Sequence, residues 1–167
     1  MLGGDEELMV QARAALLDAL EALGAHADNV VVIGAQAVYL HTGSLELALA
    51  EATKDADLAI DSRRLSDDPR LEEAMQGAGF YPDPDSGQPG AWCSPSGMPV
   101  DLMVPEALAG PAKRGRRGGR IPPHDRRATR RAVGLEAAVV DNGEMQVEAL
   151  GSDDTASWLR GLLDRPR

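Results

Sequence analysis

Residues 29–43, NVVVIGAQAVYLHTG, decide how the chain is built. Val30, Val31, Val32 and Ile33 are β-branched and apolar at consecutive positions, the pattern of a strand buried on both faces. Gly34 follows at once, and AQAVYLHTG then reads as a short helix ending near Gly43. A strand, small residues and a helix make a βα turn. Upstream, residues 5–23 read as an amphipathic helix, with Leu8, Ala12, Ala15, Leu16, Ala19, Leu20 and Leu23 at helical spacing and Gly24 as its stop.

Downstream the same signals recur. SLELALAEA (44–52) is helix-prone and expected to link to a strand at 55–60, DADLAI. There Asp55, Asp57 and Ala59 fall on one face, and Ala56, Leu58 and Ile60 on the other. Ser66 to Ala78 reads as a helix with Asp67, Asp68 and Pro69 in its first turn. Residues 82–97 are turn-rich, with a short strand expected at Ala91 to Ser94. MPVDLMV (98–104) is a strong strand carrying one charge, Asp101. Residues 111–131 read as a long basic loop. The segments 135–140 and 144–149 flank Asp141-Asn142-Gly143, a hairpin signal, and a short helix capped near Ser152 or Asp153 is expected to close the chain. The reading is one α/β domain over 1–167, with its core at about 5–105.

Composition bounds the function. The chain has 167 residues, 43% of them hydrophobic and 26% charged, which is globular. No run approaches the length of a membrane span, and the N-terminus MLGGDEELMV is acidic, unlike a signal peptide. A cytoplasmic protein with no membrane partner is expected. The single cysteine, Cys93, excludes an internal disulfide and reads as a buried structural residue. Net charge is −10, against general coating of nucleic acid. Yet nine of the seventeen Lys and Arg residues lie between Lys113 and Arg131, a stretch with one acid, Asp125. An acidic body with one basic arm fits a protein that touches phosphates in one place; a solvated charged loop is the alternative.

Ionised residues on apolar strands need a reason. Asp55 and Asp57 share a strand face with Cα atoms about 7 Å apart, and Asp101 sits inside MPVDLMV. Unpaired buried carboxylates are costly and are neutralised by cations or by pairing. Such hard oxygen ligands suit magnesium, and two ions held this way would serve phosphoryl or nucleotidyl transfer. Taken alone, a DxD pattern is more often a strand-end turn or surface pair, and Asp61 is read as a solvated acid. His26, His41 and His124 are scattered and form no metal motif. There is no Walker loop and no GxGxxG. Trp92 and Trp158 read as core or cap residues.

VVIGAQAVYLHTG, then ATKDADLAID, then PVDLMV resembles the nucleotidyltransferase superfamily of polymerase-beta-like enzymes. Within it, the AbiEii/MenT-like branch of bacterial toxin–antitoxin toxins is the closer likeness, with Thr53 two residues before the first acid. The resemblance covers residues 28–105 and continues loosely to about 150. It implies a nucleotidyltransferase-like mixed β-sheet flanked by helices, with a C-terminal β-hairpin. It implies that Gly34 and Ala35 lie at a helix N-terminus that holds the triphosphate, joined by Thr53 and Lys54 in nucleotide binding. Asp55, Asp57 and Asp101 would be catalytic and hold two Mg2+ ions. Arg116, Arg117, Arg120, Arg126 and Arg127 would neutralise phosphates of nucleotide or RNA.

The implied activity is Mg2+-dependent transfer of a nucleoside monophosphate from an NTP to an acceptor hydroxyl. The acceptor would be the tRNA 3′ end or another RNA, and a cognate antitoxin would be the partner. The sequence departs from the family in having Gly-Ala where Gly-Gly or Gly-Ser is usual. It also has no lysine after Lys113, so the family's C-terminal half, which supplies a Lys and an Asp, is expected to be absent. The alternative is therefore a non-catalytic or truncated module of the same fold that binds nucleotide or RNA.

Overall fold

The computed structural model describes residues 2–34, 37, 56–148 and 156–162. Helix α1 (Leu2–Ala22) places Ala12, Ala15, Leu16, Ala19 and Leu20 on one buried stripe, continued by Leu23. A 3-10 turn, Gly24–Asn29, reverses the chain into β1 (Val30–Ile33), all four residues of which are buried as their composition requires. Strand β2 (Ala56–Ile60) runs antiparallel to β1. The edge of β2 away from β1 carries β5 (Pro99–Pro105), in parallel. Beyond β5 its outer edge is shared. β4 (Ala91–Cys93) pairs antiparallel with its first half, and β6 (Arg130–Ala132) pairs parallel with its second. A two-residue β3 (Tyr81–Pro82) borders β4. On the other side of β1 stand β8 (Ala156–Leu162), parallel to it, and then β7 (Asn142–Glu148). The order β3-β4-β5-β2-β1-β8-β7, with β6 beside β5, is a mixed sheet.

Alternation along the strands divides the core in two. Val30, Val32, Leu58, Ile60, Leu102 and Val104 face α1 and α2 (Leu71–Gly77) in the main cluster. Val31, Ile33 and Ala59 face the opposite way, onto Ala138 and Val139 of α3 (Glu136–Val140). The fold is thus a mixed α/β sheet flanked by helices, as the sequence leads one to expect.

Four local expectations need correction. The helix expected from Ser66 begins only at Leu71, because the ring of Pro69 disfavours helical backbone at Asp68. Instead, Pro69 offers its carbonyl to His26 Nε2 at 2.6 Å, and the Leu71 N–H donates to His124 Nδ1 at 3.1 Å. Residues 135–140 are not a strand: α3 forms there, since Glu136, Ala137 and Ala138 favour helix and Ala138 and Val139 bury on the sheet. The Asp141-Asn142-Gly143 signal marks the passage from α3 to β7, and the C-terminal hairpin is β7 with β8, in register from Asn142↔Leu162 to Glu148↔Ala156. The closing helix is replaced by β8, whose pairing on both sides overrides local propensity. The helices expected at 35–43 and 44–52 lie outside the described residues, apart from Ala37, which is buried in the main core.

Candidate functional site

β2 and β5 are side by side and in register, and that register places Asp57 directly opposite Asp101. Adjacent strands are about 4.8 Å apart, so the two carboxylates start from neighbouring backbone positions on one face. That is the α3 face, since Asp57 is also the register partner of Ile33. Along β2 the burial pattern breaks only at Asp57, and Asp101 is likewise half-buried. Both acids lie near the entry ends of their strands, where β1 leaves the sheet.

Gly34 stands at that exit with φ +72°, a left-handed conformation that side chains disfavour. A Cβ there would lie 2.6 Å from Asp57 Oδ2. The glycine thereby lets the Asp57 carboxylate rest against the backbone at the end of β1. From β1 to β5 the order is Gly34, Asp57, Asp101.

On the far side of Asp101, β6 supplies the next charge. Arg130 Nη2 donates to Asp101 Oδ2 at 3.0 Å, with the two side chains 19% and 22% exposed. Arg130 Nη1 donates to Gln88 Oε1 at 3.4 Å. Gln88 in turn lines a pocket of about 380 Å³ with Lys113, Arg116, Arg117, Arg120, Arg126 and Arg127. No acidic side chain among the described residues lines it. The backbone holds this region tightly: the Gly90 N–H donates to Arg127 O at 2.8 Å, and the Leu102 N–H to Gly90 O at 2.8 Å.

The structure therefore brings Gly34, Asp57 and Asp101 together, and gathers all five arginines singled out in the sequence around one pocket beside them. Ala35, Thr53, Lys54 and Asp55 lie outside the described residues. Among the described residues no group of three or more His, Cys, Asp or Glu side chains is placed to hold a metal. The pair that is described, Asp57 with Asp101, presents hard oxygen donors on one face in register, a donor set that suits a divalent cation of the magnesium type.

Sequence reasoning missed Arg130 and Gln88. The signal for Arg130 was indirect: a lone carboxylate in MPVDLMV calls for a cation, and the nearest cationic strand-like segment is TRRA. Sequence distance also hid a histidine pair. His26 and His124 are buried with ring centroids 6.0 Å apart, edge to face, bracketing the start of α2. Cys93 is buried in β4, and burial, then Asp83, pushes its thiol pKa up, as suits a structural cysteine.

The class of protein that carries this carboxylate pair, glycine turn and cationic pocket on a mixed sheet is given by comparison with known families. The match that specifies the class is a family model described as nucleotidyltransferase, which covers residues 11–138; the chain belongs to that family. The match takes in Gly34, both described acids and the whole basic segment. Comparison with curated proteins and with solved structures gives no match. Among the described residues no helix is long and apolar enough to cross a membrane.

Proposed function

We propose that the chain transfers a nucleoside monophosphate from an NTP to an acceptor hydroxyl in a Mg2+-dependent reaction. The observation that carries this reading is the registered pair Asp57 and Asp101 beside the Gly34 turn, in a chain of the nucleotidyltransferase family. Asp57 and Asp101, with Asp55, would hold magnesium, which when bound would neutralise charge on the reacting phosphates. Gly34 lets the Asp57 carboxylate lie against the turn after β1, and Gly34, Ala35, Thr53 and Lys54 would contact the nucleotide. The acceptor oxygen bonds to the α-phosphorus, the bond to pyrophosphate breaks, and the hydroxyl proton passes to the Asp101 carboxylate. By its likeness to the AbiEii/MenT-type toxins, the acceptor is RNA, with the tRNA 3′ end first to be tried. The same likeness makes the chain a cytoplasmic toxin with an antitoxin as partner.

A second reading, a nucleotide-binding or RNA-binding module without catalysis, is favoured by one observation: Arg130 already neutralises Asp101. The test is incubation with each radiolabelled NTP, total tRNA and Mg2+, beside Asp57→Ala. Label reaching tRNA with the wild type alone is the expected result. Mg2+-dependent NTP binding that is lost in the variant, with no transfer by either protein, would establish the binding module instead. Absence of both transfer and binding overturns both readings.

A further inference from the structure

We propose that the pocket beside Asp101 holds the phosphodiester backbone of a single-stranded nucleic-acid acceptor, on the opposite side of the acid pair from the Gly34 turn. Six cationic side chains share about 380 Å³ of space in a protein whose net charge is −10. Like charges crowded without a counter-charge repel one another, and an anion relieves that repulsion. Arg116, Arg120 and Arg126 make no side-chain hydrogen bond or ion pair to the described residues, so their donors are available. The one acid of the segment, Asp125, is turned to local use and accepts from the Arg127 N–H at 2.7 Å.

The pocket is built rather than splayed. A Cβ at Gly118 would land on the Arg126 carbonyl oxygen, so the two arginine-bearing arms touch backbone to backbone. Arg131 N–H donates to Arg117 O at 2.8 Å, and Arg127 Nη2 reaches Gly87 O at 3.1 Å.

Position selects the ligand. Across the sheet the order is Gly34 just after β1, Asp57 on β2, Asp101 on β5, then the β4/β6 edge with Gln88 and the pocket. A triphosphate at Gly34 and a strand in the pocket would approach the acids from opposite sides, which in-line displacement requires. The word acceptor rests on the transferase reading above; the binding of a strand does not. Cations lining a groove follow a phosphate backbone without reading bases, so little sequence preference and strong salt dependence are expected.

The test uses the full chain and fluorescence anisotropy with short labelled single-stranded RNA and DNA oligonucleotides of one sequence, over a range of salt. Replacing Arg116→Gln, Arg120→Gln and Arg126→Gln together should weaken strand binding by about tenfold or more at low salt. Three lost contacts should also flatten the log–log salt slope by about 2. Arg→Lys at the same three positions should restore most of the affinity, and Asp57→Asn should leave strand binding unchanged while abolishing Mg2+-dependent NTP binding. If the triple variant does not fold by circular dichroism, Arg116→Gln alone should flatten the slope by about 0.7. Unchanged strand affinity and slope in the arginine variants would overturn the proposal. So would loss of NTP binding with strand binding intact, which would make the pocket a triphosphate site. Strand binding that follows this pattern without any transfer would uphold the pocket and overturn the transferase reading.

Discussion

Arg130 shows how one side chain can set the state of a site. It neutralises Asp101, which would otherwise face Asp57 across the β2–β5 register with like charge. A cation held at the acids would compete with this guanidinium for the same oxygen. A half-buried ion pair of this kind contributes about 0.5–1 kcal/mol. Arg130→Gln should therefore bind Mg2+ roughly twofold to fivefold more tightly than the wild type, read by calorimetry in the absence of NTP. Unchanged affinity would mean that Asp101 takes no part in holding the ion. The acids themselves were legible in the sequence, because a charge inside an apolar run is conspicuous. Their arginine partner was not: it lies 29 residues further on, beyond a loop whose path back to β5 depends on backbone contacts at Gly90 and Gly118. Gly34 was legible as a turn, but its contact with Asp57 was not, since that depends on how β1 and β2 pair.

Among the elements, α2 owes its start to two histidines. His124 must keep Nδ1 unprotonated to accept from the Leu71 N–H. Burial lowers the His124 pKa below the ordinary 6.5 and outweighs the opposing pull of Glu72, while nearby His26 lowers it further. A base with a depressed folded pKa binds fewer protons folded than unfolded as pH falls past the unfolded value. Its contribution is whole above about pH 6.5 and is lost progressively as pH drops toward the lower folded value. The urea midpoint should fall over that interval, and His124→Gln should flatten the fall; an unaltered profile in the variant would remove His124 as its cause. The elements that were legible carry a long helical stripe (α1), an apolar or alternating run (β1, β2, β5), or a short apolar run between turns (β4). Those misread carry patterns that fit more than one period or depend on distant partners. Five residues of EAAVV fit either period, and only the burial of Ala138 and Val139 on the sheet decides for helix. The ASWLRGL segment becomes a strand because β1 and β7 both offer it an edge, a fact not written in its own residues.

Over the whole molecule, charge and topology are divided in the same way. Most of the chain is acidic, and the cations are concentrated where the sheet edge beside β5 meets the pocket. The interior strand β1 has neighbours from distant parts of the chain: β2 on one side and, on the other, β8 through Val31↔Arg160 and Val32↔Gly161. Contacts so far apart in sequence slow folding, because loop-closure entropy is lost before they form. A chain stopped after Glu148 should lose the β8 pairing and collect in the insoluble fraction on expression, where the full chain does not; a soluble product with full NTP binding would show β8 to be dispensable. The same topology has a consequence during synthesis. At about 5–20 residues per second the ribosome needs roughly six to twenty-five seconds between making β1 and making β8. For that time four β-branched residues present a free edge to every other nascent chain nearby. Helix α1, made first, can shelter one face but not the edge, so the order of translation leaves that edge of β1 open until β8 is made.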